Sequence, residues 1–177
     1  RNAANGARVA AELNALGTPT HYVQADFANV DDCRAVVRAC DDHFGRVDGL
    51  VNSAAVTDRG TLDDTTVELW ENIFAVNTRA PFLLMQESVR VMKREGRGAL
   101  IIVSSVDSVV PVPYPGPYVA SKAGLKGLID TLRVELGKAT LGLRSVLALE
   151  VGQVVRLDTA VDDDAVFPDG VCEVRQV

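Results

Sequence analysis

No apolar run in the 177-residue sequence approaches the roughly 18 residues that a helix needs to cross a bilayer, so no transmembrane helix is expected. The opening residues are rich in Ala and Asn and hold no apolar block, so no secretory signal peptide is expected there. Basic charge is in deficit: 18 Lys and Arg face 24 Asp and Glu, for a formal net charge of −6. That balance speaks against a nucleic acid or an anionic membrane held through a basic surface. Cysteine is sparse. Cys33, Cys40 and Cys172 form no CxxC pair and no even set. Cys33 and Cys40 share one expected helix face but lie too far apart along it for a disulfide, so both read as small buried hydrophobes. His21 and His43 have no metal-ligand partners at useful spacing, and no metal site is expected. These absences together suggest a soluble, cytoplasmic protein.

What is present is an ordinary globular composition, 47% apolar, in a length that suits one domain. Helix and strand patterns alternate along it. Residues 3–16 place Ala7, Val9, Ala10, Leu13 and Leu16 at helical spacing, and Gly17 stops the run. His21–Phe27 reads as a short strand. Asn29 or Asp31 can cap a helix over Asp32–Phe44, closed by Gly45, and Gly49–Ala55 has strand length. Thr65 or Thr66 opens the longest helix, to about Arg94, with Pro81 inside it, where the missing N–H should bend the axis. Ala99–Ser105 is a strand whose Leu-Ile-Ile-Val run suggests burial on both faces, as in a parallel sheet covered by helices. After a loop carrying Pro111, Pro113, Pro115 and Pro117 come a helix from about Tyr118 to Gly137 and a strand over Leu143–Glu150. The pattern predicts an α/β fold with a doubly wound parallel sheet, Rossmann-like. It divides the chain into one partial α/β domain over 1–157 and a divergent, poorly ordered tail over 158–177.

The segment richest in chemistry is Ser104-Ser105 at a strand end, followed by Tyr118-Val-Ala-Ser-Lys122. Tyr118 and Lys122 sit one turn apart on one helix face. A free tyrosine ionises near pH 10, too high for a base at neutral pH, and a neighbouring lysine cation stabilises the phenolate. A serine hydroxyl opposite the phenol can hold a substrate oxygen, and the carboxyl ends of the strands are where an open α/β sheet places such a site. YxxxK alone occurs on many surface helices; Ser105 thirteen residues upstream makes it specific.

With these residues the sequence resembles the short-chain dehydrogenase/reductase family, over roughly residues 1–150. Asn52-Ser53-Ala54-Ala55 is similar to the family's NNAG motif, altered at two positions, and Phe44-Gly45-Arg46-Val47-Asp48 resembles its lead-in. Ala75-Val76-Asn77 resembles the segment with the family's helix asparagine, and Ala25-Asp26-Phe27 the strand end that reaches adenine. The resemblance implies a catalytic set of Asn77, Ser105, Tyr118 and Lys122. Tyr118 is then the acid/base, Lys122 its electrostatic partner and a ligand of the nicotinamide ribose, Ser105 the group that polarises the substrate carbonyl, and Asn77 the holder of a water beside Lys122. It further implies cofactor contacts at Arg1, Asp26, Phe27, Asn52 and Ala54 as well as at Tyr118 and Lys122. A basic residue at position 1 tips NAD(P) toward NADP, through the 2′-phosphate. Each residue also has a plainer role open to it. Ser104 can face away from the site by strand alternation. Asn77 can satisfy backbone groups exposed by the bend at Pro81, Asn52 can serve the sheet, and Asp26 can be a solvated strand end.

The family's glycine-rich turn is not in this sequence: nothing in residues 1–20 matches GxxxGxG, which elsewhere gathers backbone N–H groups around a pyrophosphate. The expectation is a fragment without the first βαβ unit, an incomplete sheet, and a gap of roughly 14 Å between 21–27 and 49–55 where two strands would lie. The sheet core should then be 49–55, 99–105 and 143–150. Glu150-Val151-Gly152-Gln153 keeps only the glycine of the family's Pro-Gly turn, and no lid or last strand is recognisable over 153–177. The function expected is hydride transfer between NAD(P)(H) and a small-molecule carbonyl or secondary alcohol, in a parent forming a homodimer or homotetramer. The alternative is a catalytically silent chain that keeps the fold as an oligomerisation or interaction module through the outer faces of its two long helices.

Overall fold

A computed structural model describes residues 2–57, 61–110, 116–137 and 153–157. Arg1, Cys172, the strand expected over 143–150 and the tail from 158 lie outside the described residues. Helix α1 (Ala3–Ala15) starts where the Asn2 side chain accepts from the Asn5 N–H at 3.0 Å, and ends before Gly17, whose φ of +82° is left-handed. Helix α2 (Val30–Phe44) is capped by the side-chain oxygen of Asn29, which accepts from the Asp31 and Asp32 N–H groups. Two aspartates in its first turn suit the positive end of the helix, and left-handed Gly45 closes it.

Strand β1 (Gly49–Asn52) runs parallel to β2 (Gly98–Ile102), with Leu50 opposite Leu100 and Asn52 opposite Ile102. Strand β3 (Gln153–Leu157) pairs with the other edge of β2, antiparallel, giving the order β1-β2-β3. This corrects the expectation in two places: a strand does occur after residue 152, and it reverses the direction of its neighbour.

His21–Phe27 forms no strand. A ladder needs a partner, and no described strand lies beside this segment. Its backbone groups go elsewhere: the Asp26 N–H donates to the Asp32 carboxylate at 2.8 Å, and the Phe27 carbonyl accepts from the Cys33 thiol. Tyr22 instead lies over α1, which approaches closely because residue 6 is glycine; a Cβ there would sit 2.1 Å from the tyrosine ring.

The long helix expected over 65–94 is two α-helices, α3 (Val67–Phe74) and α4 (Ala80–Glu95), joined by a π-helical turn over Ala75–Arg79. Thr66 caps α3, accepting from the Leu69 N–H. Pro81 has no N–H to give the preceding turn, and the widened turn just before it, with the Ala80 N–H reaching the Ala75 carbonyl, absorbs that deficit. Helix α5 (Gly116–Gly137) completes the set.

The core lies on one side of the sheet. Leu100 and Ile102 of β2 meet Val37 of α2, Leu84, Met85 and Met92 of α4, and Leu125 and Ile129 of α5, all buried. Leu50 joins from β1, while Val51, pointing the other way, is 65% exposed. The sheet is therefore helix-covered on one face among the described residues, where the Leu-Ile-Ile-Val run had suggested two. Arg94 of α4 grips both carboxylate oxygens of Asp41 of α2, at 2.6 and 3.1 Å. Glu87 takes Arg90 at 2.9 Å and Arg34 at 3.4 Å, which ties the same two helices near their middles.

Candidate active site

The two parallel strands end on the same edge of the sheet, where the chain leaving β1 meets the π turn and the chain leaving β2 meets α5. Asn77, in the π turn, is fully buried. Its side-chain carbonyl accepts from the Val56 N–H and its amide donates to the Val56 carbonyl, both at 2.8 Å. That reciprocal pair fastens the loop after β1. The second amide hydrogen goes to the Ser121 hydroxyl at 3.0 Å. A π turn swings this asparagine out of helical register toward the loop, a placement that regular 3.6-residue spacing does not anticipate.

Ser121 is equally buried, and its hydroxyl donates to the Tyr118 carbonyl at 2.7 Å. Thr78, next to Asn77, donates to the Ser121 carbonyl at 2.9 Å. Lys122 is 3% exposed, with its ammonium on the Val103 carbonyl at 2.9 Å and 5.9 Å from the centre of the Tyr118 ring. Burial holds the Lys122 pKa below the ordinary lysine value, because water no longer solvates its charge. One bond to Val103 leaves two ammonium hydrogens without a partner among the described residues.

Ser105 lies beyond the end of β2 and not on it. Its hydroxyl accepts from the Asp107 N–H at 3.3 Å and so caps a 3₁₀ turn, Val106–Ser108, that packs on α5. Strand alternation therefore does not govern Ser104, whose hydroxyl meets that of Ser108. Asn52 is buried at the end of β1, where its carbonyl takes the Val103 N–H at 2.9 Å, and Ala54 is half-buried in the loop that leads to Val56. The structure thus gathers Asn77, Tyr118 and Lys122 around Ser121, with Ser105 on a turn against the same helix.

The residues expected at the adenine end stand apart from this group. Asp26 is exposed and accepts from the Ala28 N–H at 3.0 Å. It lines an open depression of about 560 Å³ with Gln24, Ala25, Ala28, Asp32 and Asn72. Phe27 packs against both hydrophobic clusters, beside Cys33 and Leu83, so its side chain serves the core. Cys33 and Cys40 are free thiols whose burial raises their pKa values, as expected of small buried hydrophobes. His21 and His43 stack at 4.4 Å, a proximity that sequence spacing does not reveal, and no metal-ligand cluster occurs among the described residues.

The short chain dehydrogenase family model matches residues 1–152. The chain belongs to this family. Dehydrogenase/reductase SDR family member 4 of Sus scrofa is 36% identical over 153 residues, covering 84% of this chain and 53% of that protein. D-beta-hydroxybutyrate dehydrogenase of Rhizobium meliloti is 32% identical over 130 residues, covering 73% and 50%. Among solved structures, a metagenomic short-chain oxidoreductase in complex with NADP superposes with a TM-score of 0.73 at 32% identity, covering 78% of this chain and 63% of that one. A short-chain dehydrogenase/reductase from Serratia marcescens gives 0.72 at 30%, covering 78% and 56%. The chain spans about half the length of the curated relatives it matches. The α/β class and the Rossmann-like sheet expected from sequence agree with these structures.

The nicotinamide cofactor implied by the family meets fitting residues of this chain at two places. Lys122, with two ammonium hydrogens to spare, suits ribose hydroxyls, and Asp26 borders a depression able to take a base. No glycine-rich turn occurs in the sequence to receive the pyrophosphate between them. Ser121 is bonded into this group although the sequence pattern did not single it out, and Thr78 tethers its backbone. The available signal was a serine on the buried stripe Tyr118, Ser121, Lys122, Leu125, where an apolar residue would be usual.

Proposed function

We propose that this chain carries the proton-transfer machinery of an NAD(P)-dependent oxidoreductase that interconverts a small-molecule carbonyl and a secondary alcohol. In the reducing direction Tyr118 gives its hydroxyl proton to the carbonyl oxygen: the phenol O–H bond breaks and the alcohol O–H forms. In the oxidising direction the phenolate takes that proton back. A bound nicotinamide would supply or accept the hydride. The observation that carries this reading is Lys122, a nearly fully buried ammonium set 5.9 Å from the centre of the Tyr118 ring. A cation taken out of water acts more strongly on a neighbouring phenolate than one on the surface. Ser105, half-buried on the turn against α5, is the candidate to hold the substrate oxygen. Asn77 serves by holding the Val56 loop and the head of α5 together, and water beside Lys122 remains compatible with that arrangement.

NADP is favoured over NAD on the resemblance at Arg1 alone. The binding test is a titration of the 177-residue chain with NADPH and NADH, following nucleotide fluorescence. Saturable binding, tighter for NADPH, is the expected result; no binding by a folded chain overturns the cofactor half of the proposal. In the oxidoreductase assay Tyr118→Phe should lose about 10²–10⁴-fold in turnover and keep its nucleotide affinity. Equal loss of both would remove Tyr118 from the acid/base role. Assembly as a homodimer or homotetramer is proposed through the groove of about 730 Å³ that Trp70, Phe74, Phe82 and Leu128 line. Trp70 is 44% and Phe82 38% exposed there, and a monomer in sedimentation would refute it.

A further inference from the structure

We propose that Ser121 is a positioning residue that sets Tyr118 against Lys122, resting on the acid–base role proposed above for that tyrosine. A hydroxyl in a packed interior is costly unless it is bonded, and Ser121, with no exposed surface, uses it as both donor and acceptor. Neither bond serves the helix. A serine that bonds back to its own preceding turn competes with regular backbone bonding and slightly destabilises a helix, and alanine at this position would be the better helix former. What the two bonds do together is link the first turn of α5 to a residue 44 positions away. The Val56 loop holds Asn77, Asn77 holds the Ser121 hydroxyl, and that hydroxyl holds the carbonyl of the residue bearing the phenol.

The next residue in the chain bears the ammonium, which is itself anchored on Val103 beyond β2. One serine therefore references the phenol to the loop after β1, while its neighbour references the ammonium to the chain after β2. With both references in place the distance between the two groups is set by the sheet. A first helical turn left to itself would not hold it. Thr78, which bonds to the Ser121 carbonyl, tethers the same turn without touching the hydroxyl and so provides an internal control.

The test labels tyrosine with ¹³C at Cζ in the full chain and follows phenol ionisation by NMR, with Tyr118→Phe assigning the signal among Tyr22, Tyr114 and Tyr118. Ser121→Ala should raise the Tyr118 midpoint by about half a pH unit or more, about threefold less phenolate at a fixed pH, while Thr78→Val leaves it in place. Should Ser121→Ala fail to fold by circular dichroism, Ser121→Cys, of similar volume and far weaker as a donor, carries the same expectation. No movement with the Ser121 variants overturns the proposal. Equal movement with Thr78→Val also overturns it, since the effect would then be general tethering. Lys122→Met separates the two levels. If that change too leaves the Tyr118 signal unmoved, the acid–base reading itself falls; if it moves the signal and Ser121→Ala does not, only the role of Ser121 is lost.

Discussion

The two ends of the expected site are built very differently. Around Asn77 and Ser121 the bonds to Val56, Thr78 and Val103 cross between segments far apart in sequence, among buried side chains, and only the Ser121 bond to Tyr118 is local. Around Asp26 the bonds are mostly local, from the Ala28 N–H to the Asp26 carboxylate and from the Asp26 N–H to the Asp32 carboxylate, in an exposed bend that Arg79 alone reaches from afar, at the Ala28 carbonyl. The first end is held by helices that pack on the covered face of the sheet and needs nothing more. The second sits on a segment whose backbone has no neighbouring strand among the described residues, and so it takes its shape from side-chain bonds to Asp32 and Arg79. A site that is cross-linked through a core keeps its geometry in a partial sheet, whereas one that hangs on strand pairing does not.

Asn77→Ala should break the first end most severely. It opens a cavity and leaves the Val56 N–H and carbonyl unpaired, at a cost of about 2–4 kcal/mol in urea unfolding. Leu125→Ala, in the fully buried helix face beneath the same residues, should cost a comparable 2–5 kcal/mol or so, where Val51→Ala on the uncovered sheet face should stay within about 0.5 kcal/mol. At the other end Asn29→Ala, which removes the side-chain cap of α2 next to the Asp26 bend, should cost only about 1 kcal/mol. A larger loss there than at Asn77 would reverse the contrast.

The pH dependence sharpens it further. Because burial lowers the Lys122 pKa, the unfolded chain binds more protons than the folded one between that value and the ordinary lysine range. The burial penalty is present in full below the folded pKa and is relieved as pH rises through the window. Lys122→Met should therefore match or exceed the wild-type chain in stability at neutral pH, with the difference shrinking toward pH 10, as thermal melts at several pH values would show. Asp41 works in the opposite sense and more weakly. Its hydrogen bond to Arg94 lowers its pKa, so that contribution is present at neutral pH and disappears as pH falls through the folded value. Arg94→Ala should remove this acid-side dependence.

Much of the helical framework was legible because its signals are local. Asn29 and Thr66 cap where side-chain oxygens allow it, Gly17 and Gly45 stop where only glycine is comfortable, and the apolar stripe of α2 gave the buried Cys33 and Val37. Tyr118 and Lys122 were legible for the same reason, being one helical turn apart. The strand status of 21–27 was not, since β structure depends on a partner and the residues themselves carry no record of one. The π turn was not, because the pattern announces that Pro81 must disturb the helix without saying how the chain absorbs it.

The sequence by itself determined most helical spans, the parallel pair of strands and the one-turn spacing of Tyr118 and Lys122, all of which follow from local patterns. Tertiary structure alone decided that β3 runs antiparallel, that one face of the sheet is covered, and that Asn77 reaches Val56 and Ser121. Those depend on which backbone groups find partners across the fold. A hydrogen bond between residues 77 and 121 is set by how α4 and α5 pack, and no local propensity encodes that distance.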